Sequence, residues 1–264
     1  MENIRITLIQ TALHWENPGA NTHSLEEKIR NIQEPTDLIV LPEMFSTGFT
    51  MDAPAVAEPM NFTTFKWLKM MAASMNAVIT GSFVVKENGN FYNRLVWMRP
   101  NGSYETYDKR HLFRMANEHE TYSAGTKNIY PTIKNWKFLP LVCYDLRFPA
   151  WSRNKDLSTP SNGYDCLIYV ANWPEARRLH WNTLLQARAI ENLSYVVGVN
   201  RVGTDGKNIP YSGDSVVISH RGEKLFHAEY EEVIKTIELD RNDLQTYREK
   251  FPAYLDADTY EIKI

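Results

Sequence analysis

Residues 139–151 read LPLVCYDLRFPAW, an apolar run that ends at Cys143 and leads into a turn-forming Arg-Phe-Pro segment. The apolar run predicts a buried β-strand, and Pro149 soon afterwards indicates a turn into a helix. Strand followed by helix is the repeating unit of α/β proteins. A side chain at such a junction lies at the end of a strand, where open α/β sheets place their functional sites. The stretch therefore predicts the fold class and a candidate site together.

The same pattern continues on both sides of this stretch. The apolar segments 37–41 (DLIVL) and 164–171 (YDCLIYVA) predict two further buried strands. Apolar residues at helical spacing predict helices at 61–75 and 183–193. Turn residues at 100–102 and 221–222 predict two β-hairpins. We expect an α/β fold of two mixed β-sheets flanked by helices. Residues 1–264 are interpreted as a single domain, with the polar segment KDLSTPSNG (155–163) as a loop inside it.

Charge, cysteine count and the N-terminal sequence argue against several classes of protein. The 264 residues carry a net charge of −3, which gives no bulk attraction to nucleic acid or to an anionic membrane. The two cysteines, Cys143 and Cys166, argue against a disulfide framework. The N-terminal stretch MENIRITLIQTALHW alternates like a strand and lacks the features of a signal peptide. We expect a cytoplasmic protein without a nucleic-acid or membrane partner.

Three side chains at predicted strand ends are candidates for chemistry. Cys143 is a candidate nucleophile, whose thiol pKa a helix N-terminus and nearby cations would lower. Glu43, in DLIVLPEMFSTGF (37–49), suits a general base, and Lys109, in ETYDKRHLF (105–113), suits an oxyanion donor. If the strands are parallel neighbours, their ends bring the three together.

Each candidate also has an ordinary interpretation. A free cysteine is most often a buried structural residue, which is preferred for Cys166 in mid-strand. An isolated glutamate is commonly a loop or capping residue, and most lysines are exposed to solvent.

Other catalytic patterns are absent from the sequence. There is no Gly-x-Ser-x-Gly nucleophile motif, no Cys-x-x-Cys or His-x-x-x-His metal spacing and no phosphate-binding glycine loop. His111 and His119 are eight residues apart, but a zinc site there lacks a third ligand at sensible spacing. We expect neither a metal nor an organic cofactor.

The segments LPEMFSTGF (41–49), YDKRHLF (107–113) and VCYDLRFP (142–149) resemble the three signature segments of the nitrilase superfamily of carbon–nitrogen hydrolases. Flanking segments match in the same order over nearly the whole chain, down to the tail KFPAYLDAD (250–258). The resemblance implies a four-layer αββα sandwich, a homodimer and no cofactor. It also implies a triad of Glu43 as base, Lys109 as oxyanion donor and Cys143 as nucleophile.

The resemblance places a second glutamate, which positions the lysine, in NEHETYSAG (117–125). Its spacing favours Glu118, with Glu120 as the alternative, and the backbone N–H of Tyr144 is expected to complete the oxyanion hole.

Within the family, the pattern is most similar to bacterial ω-amidases, which implies a 2-oxo dicarboxylic acid monoamide (2-oxoglutaramate or 2-oxosuccinamate) as substrate. A carboxylate-bearing substrate needs a cation, for which Arg147 is the candidate, with an ion pair to Asp145 as the alternative. Phe45 and Trp173 are candidates for the pocket wall, or else plain core residues. The competing functions are an amidase or N-carbamoyl hydrolase for another small amide, such as deaminated glutathione, a catalytically silent binding protein, and a metallohydrolase.

Overall fold

The computed structural model of the protein describes residues 2–154 and 163–263, so that most of the polar segment 155–163 lies outside the described residues. In chain order, the strands of the described part are β1 (Ile4–Gln10), β2 (Leu38–Val40), β3 (Val78–Glu87), β4 (Asn90–Met98), β5 (Tyr104–Asp108), β6 (Thr132–Ile133), β7 (Trp136–Val142), β8 (Cys166–Ala171), β9 (Tyr195–Asn200), β10 (Val202–Thr204), β11 (Pro210–Ile218), β12 (Lys224–Glu229) and β13 (Val233–Leu239). The helices are α1 (Pro18–Arg30), α2 (Ala53–Val56), α3 (Thr63–Met75), α4 (Glu118–Thr121), α5 (Pro149–Ser152), α6 (Arg178–Asn192) and α7 (Arg241–Lys250).

The strands form two mixed sheets. The first has the order β13-β1-β2-β3-β4-β5, with β1, β2 and β3 parallel and the remaining pairs antiparallel. The second has the order β10-β11-β9-β8-β7-β6, with β7, β8 and β9 parallel and β12 paired to β11. Parallel strands at the centre of each sheet are buried on both faces, which is why 37–41 and 164–171 read as continuous apolar runs.

The two sheets pack face to face, and helices cover their outer faces. Trp97 of β4 contacts Phe138 of β7 with ring centroids 5.2 Å apart, across the interface between the sheets. On the outer side of the first sheet, α1 and α3 bury apolar residues such as Leu25 and Leu68. On the second sheet, α6 buries Trp181 together with Leu185 and Ala189. The predicted αββα sandwich is confirmed.

Helix α6 begins five residues before the predicted helix at 183–193. Its first turn carries Leu179, which is 72% exposed, so the amphipathic pattern that predicts helices is missing there. Trp181 holds this turn in place, because its indole N–H donates to the carbonyl oxygen of Asp214 at 2.8 Å. Such a tertiary contact leaves no local sequence signal.

A glycine fixes the loop that follows Glu118 against the strand end before Lys109. The N–H of Gly125 donates to the carbonyl oxygen of Lys109 at 3.0 Å. A Cβ atom at this position would lie 2.0 Å from the carbonyl oxygen of Asp108, so no other residue fits without moving the backbone. Among the described residues, no helix is both long and apolar enough to cross a membrane.

Candidate active site

The three candidate side chains meet at one edge of the interface between the sheets. Glu43 follows β2 and Lys109 follows β5 in the first sheet, whereas Cys143 follows β7 in the second. The expectation that parallel neighbours bring the three ends together is therefore wrong in its geometry, because β5 runs antiparallel to β4 and Cys143 belongs to the other sheet. Face-to-face packing of the two sheets produces the convergence instead.

Lys109 is buried between two carboxylates. Its Nζ lies 2.9 Å from Oε1 of Glu43 and 3.0 and 2.9 Å from the two carboxylate oxygens of Glu118. The Lys109 side chain is 1% exposed, and both carboxylates are fully buried. Glu120 is exposed on the same short helix, so Glu118 is the one of the two glutamates that contacts the lysine.

Three donors surround the carboxylate of Glu43. Besides Lys109, the side-chain amide of Asn93 donates to Oε1 at 2.8 Å, and the backbone N–H of Asn172 donates to Oε2 at 2.7 Å. The Asn172 side chain also donates to the carbonyl oxygen of Glu43 at 2.6 Å. Glu43 is thus held by polar contacts from both sheets rather than enclosed in an apolar pocket.

Cys143 begins a short 3₁₀ turn, Cys143–Arg147, directly after β7. Its backbone has φ +44°, the left-handed region that non-glycine residues rarely adopt and that often occurs at functional positions. The thiol Sγ lies 3.9 Å from the carbonyl oxygen of Asn172. Cys166 is instead fully buried in β8, in agreement with its structural interpretation.

The thiol of Cys143 is held in its protonated form. Burial raises its pKa well above the ordinary value, and the negative charge of Glu43 raises it further, while the charge of Lys109 opposes both. The expectation of a lowered pKa is therefore wrong. The turn after Cys143 is only five residues long, and the cation beside the thiol, Lys109, is already paired with two carboxylates.

Lys109 stays charged despite its burial. Burial by itself lowers the pKa of an ammonium group, but the charges of Glu118 and Glu43 outweigh this effect and hold the pKa of Lys109 above its ordinary value. Burial and the charge of Glu43 raise the pKa of Glu118, against the opposing charge of Lys109. The site therefore presents a neutral thiol beside a permanent cation.

An open cavity leads from the surface to this cluster. Cys143 and Lys109 lie on its wall together with Tyr144 and Trp173. Phe45 does not line it, because its ring is fully buried in the core behind β2 and packs on Trp67 and Phe83. The pocket-wall role considered for Phe45 is replaced by its alternative, that of a core residue.

Two arginines on the cavity wall have no carboxylate partner among the residues that the structure describes. The guanidinium of Arg147 lies over the Trp173 ring at 5.0 Å and contacts Nδ1 of His180 at 2.9 Å, and that of Arg177 lies over the Phe113 ring at 5.2 Å. The alternative ion pair between Arg147 and Asp145 is absent from this part of the chain. Both guanidinium groups remain available to an anion.

The histidines considered for zinc are separated. His111 contacts the Asp145 carboxylate through Nδ1 at 2.8 Å, and His119 is exposed. Within residues 2–154 and 163–263, the one group of three side chains close enough to share a metal ion is Asp214, His227 and Glu229, none of which lines the cavity. The absence of a cofactor stays a prediction.

Sequence reasoning missed Asn93, Asn172 and Arg177. Asn172 directly follows the buried strand β8, so it carried the same strand-end signal as Cys143. Asn93 is a polar residue within the otherwise largely buried strand β4. Arg177 lies in a short turn after Trp173 and had no signal of its own.

Comparison with profiles of known protein families shows which family the chain belongs to. The profile of the family described as "Carbon-nitrogen hydrolase" matches residues 5–249. The chain belongs to the carbon–nitrogen hydrolase family. This carbon–nitrogen hydrolase is 44% identical over 263 residues to "Omega-amidase YafV" of Escherichia coli (strain K12), which covers 99% of this chain and all of that protein. It is 32% identical over 254 residues to "2-oxoglutaramate amidase" of Bacillus subtilis (strain 168), covering 95% and 96% of the two chains.

Solved structures agree with this assignment. The carbon–nitrogen hydrolase superimposes on XC1258 from Xanthomonas campestris with a TM-score of 0.97 at 41% identity, over the full length of both chains. That protein is described as a CN-hydrolase superfamily member with an arsenic adduct in the active site. Nit3 of Saccharomyces cerevisiae, a member of branch 10 of the nitrilase superfamily, gives a TM-score of 0.84 at 26% identity over 95% of each chain.

Proposed function

We propose that this carbon–nitrogen hydrolase is an ω-amidase, which hydrolyses the terminal amide of a 2-oxo dicarboxylic acid monoamide such as 2-oxoglutaramate or 2-oxosuccinamate. The observation that carries the proposal is the cluster of Glu43, Lys109 and Cys143 at a cavity whose wall also carries two arginines that no described carboxylate pairs with. The full-length similarity to an ω-amidase and a 2-oxoglutaramate amidase supports the same substrate class.

The first half of the reaction forms a thioester. Glu43 takes the proton of the neutral Cys143 thiol as sulfur attacks the amide carbon. Negative charge develops on the amide oxygen, where Lys109 Nζ and the backbone N–H of Tyr144 stabilise it. Glu43 then returns its proton to the amide nitrogen, the C–N bond breaks, and ammonia leaves with the acyl group bonded to Cys143.

The second half consumes water. Glu43 takes a proton from a water molecule, whose oxygen attacks the thioester carbon, and the same two donors stabilise the second oxyanion. The C–S bond then breaks, the thiolate recovers the proton from Glu43, and the dicarboxylic acid leaves. Asn93 and Asn172 hold the Glu43 carboxylate between the thiol and the lysine through both halves.

Selection of the substrate rests on its remote carboxylate. Arg147 and Arg177 offer planar guanidinium groups that bind a carboxylate with two parallel hydrogen bonds. Each lies against an aromatic ring, which limits the orientations that the guanidinium can take. We infer that the carboxylate binds here while the amide reaches Cys143.

Steady-state kinetics on a substrate panel test the function. We expect kcat/KM, followed by ammonia release, to be at least about 100-fold higher for 2-oxoglutaramate than for propionamide or butyramide, because only the former can bind the cavity cations. Deaminated glutathione and an N-carbamoyl amino acid complete the panel. A higher kcat/KM for either of these would assign the site to another small amide, and no turnover of any compound would favour a silent binding protein.

Exchange of Arg147 for lysine tests the carboxylate contact. We expect Arg147→Lys to raise KM for 2-oxoglutaramate about 10-fold and to leave kinetics on a neutral amide unchanged, because lysine cannot form the paired hydrogen bonds. Arg114→Lys, at an exposed arginine that does not line the cavity, is the matched control. An equal rise in KM for charged and neutral amides would rule out the carboxylate role of Arg147.

We further infer a homodimer in the cytoplasm, with residues 1–264 as one domain. Exposed apolar side chains lie on α6 and in the C-terminal segment, where Ile190 is 50% exposed, Phe251 53% and Leu255 64%. Apolar patches of this kind commonly mark contacts between protein chains. The sedimentation coefficient of the full chain reports the oligomeric state directly.

A further inference from the structure

Asp145 lies two residues after Cys143, is fully buried, and has no part in the mechanism above. Its Oδ2 accepts hydrogen bonds from the Tyr107 hydroxyl at 2.7 Å and from the Val142 N–H at 3.1 Å. Its Oδ1 accepts from the His111 N–H at 3.0 Å and lies 2.8 Å from the Nδ1 atom of His111. Four donor positions thus converge on one carboxylate.

These donors flank two residues of the candidate site. Tyr107 and His111 lie two positions before and two positions after Lys109, and Val142 immediately precedes Cys143. Lys109 follows a strand of the first sheet and Cys143 a strand of the second. The Asp145 carboxylate therefore joins the backbone around the lysine to the backbone around the nucleophile.

Neighbouring side chains hold the donors in place. The Trp151 indole donates to the Tyr107 hydroxyl at 3.0 Å, and the Arg110 N–H donates to the same oxygen at 3.2 Å. The His111 ring stacks on Phe148 with centroids 3.8 Å apart and planes 9° from parallel. The hydrogen bonds that the Asp145 carboxylate accepts are charge-assisted and largely shielded from water, which makes them stronger than bonds between neutral groups exposed to solvent.

We propose that Asp145 is a positioning residue, which sets the distance and orientation of Lys109 relative to Cys143. This proposal rests on the proposed function, because it assigns Lys109 to the oxyanion that forms on the amide oxygen when the sulfur of Cys143 attacks the amide carbon. The Val142 bond also closes the turn that holds Cys143 in its left-handed conformation. A displacement of about 1 Å between reacting groups costs on the order of 100-fold in rate.

Asparagine cannot replace the carboxylate without loss, although it has the same shape. Each oxygen of Asp145 accepts one backbone N–H, from Val142 on one side and from His111 on the other. An asparagine side chain has one oxygen and one NH₂ group, so in either orientation its NH₂ faces a backbone N–H that cannot accept. The asparagine variant therefore loses the hydrogen bond either from the Val142 N–H or from the His111 N–H.

The test compares Asp145→Asn with Asp165→Asn. Asp165 is a buried aspartate that accepts from the Lys137 N–H and from Arg241 and Arg248, at 3.0, 3.0 and 2.9 Å. It precedes β8, at the opposite end of that strand from Asn172. The rates are compared as kcat divided by the concentration of titrated thiol, here called kcat per thiol. We expect Asp145→Asn to lower kcat per thiol on the order of 100-fold with KM little changed. We expect Asp165→Asn to leave kcat per thiol unchanged.

A second readout needs no substrate. We expect iodoacetamide to alkylate Cys143 about 10-fold more slowly in Asp145→Asn than in the wild type, as measured on the peptide that carries Cys143. The reason is that the thiolate that forms when Glu43 takes the thiol proton is no longer aligned with the Lys109 cation. If the wild type fails to hydrolyse 2-oxoglutaramate, the proposed function is wrong, yet the alkylation rates still test Asp145. An alkylation rate or a kcat per thiol equal to that of Asp165→Asn would overturn the positioning role.

Discussion

Cys143→Ala and Cys143→Ser are expected to lower kcat on 2-oxoglutaramate by at least about 10⁴-fold, because no thioester can form without the sulfur. The serine variant keeps a hydroxyl in place, but Glu43 removes a hydroxyl proton far less readily than a thiol proton. Single-turnover ammonia release measures the loss. The free energy of unfolding should change by less than about 1 kcal/mol, because the substitution is small and leaves the Glu43–Lys109–Glu118 contacts intact.

Cys166→Ala is the matched control for this experiment. Cys166 is fully buried in β8, so its removal leaves a small cavity and should cost about 1–2 kcal/mol of stability. Its kcat should equal that of the wild type. The Cys143 variants should therefore lose activity and keep stability, whereas Cys166→Ala should lose some stability and keep activity. Turnover by Cys143→Ala, or inactivity of a folded Cys166→Ala, would refute the assignment of the nucleophile.

Lys109→Met is expected to lose both activity and stability. The substitution leaves the carboxylates of Glu43 and Glu118 buried without their cation, which costs about 3–5 kcal/mol when one partner of a buried ion pair is removed. Loss of the oxyanion donor should lower kcat by at least about 100- to 1000-fold. Urea denaturation and steady-state kinetics measure the two effects.

The stability loss of Lys109→Met should grow as the pH rises. Without the cation, the burial and the Glu43 charge that raise the pKa of Glu118 act unopposed, so the pKa of Glu118 in the folded state lies further above its unfolded value. The folded variant then binds more protons than the unfolded chain, so its stability falls with increasing pH above about 4. The double variant Lys109→Met/Glu118→Gln should recover part of the lost stability, because one of the two unpaired carboxylates is gone, and should remain inactive. Lys86→Met, at an exposed lysine of β3, is the control and should change neither property.

Much of this fold was predictable because its central strands are parallel and covered on both faces. Continuous apolar runs such as those before Glu43 and Cys143 are the local sign of such strands, and the polar residue that follows each run lies where the sheet ends. Helix α6 was predicted too short, because its first turn is held by the tertiary bond of Trp181 and carries an exposed leucine.

The residues of the site were predictable only where the local sequence around each one carried a recognisable pattern. The strand-end positions and the family resemblance gave Glu43, Lys109, Cys143 and Glu118, and the structure brings these four together. The raised pKa of the thiol was not predictable, because it depends on burial and on charges from segments up to 100 residues apart in the chain. Of the three donors to Glu43, Asn93 and Lys109 belong to the same sheet as Glu43, whereas Asn172 comes from the second sheet and becomes a neighbour only after the sheets pack.

Assembly of the site across the two sheets has a consequence for the order of folding. The hydrogen bond from the Asn172 N–H to Glu43 joins two residues that are 129 positions apart in the chain, so this contact closes a long loop. Closing a loop of this length costs conformational entropy, so the contact needs the packed sandwich to hold it. The reactive centre therefore exists only where the two sheets are packed together. The nucleophile gains its base only when the sandwich closes, and a nascent chain at the ribosome carries an ordinary thiol.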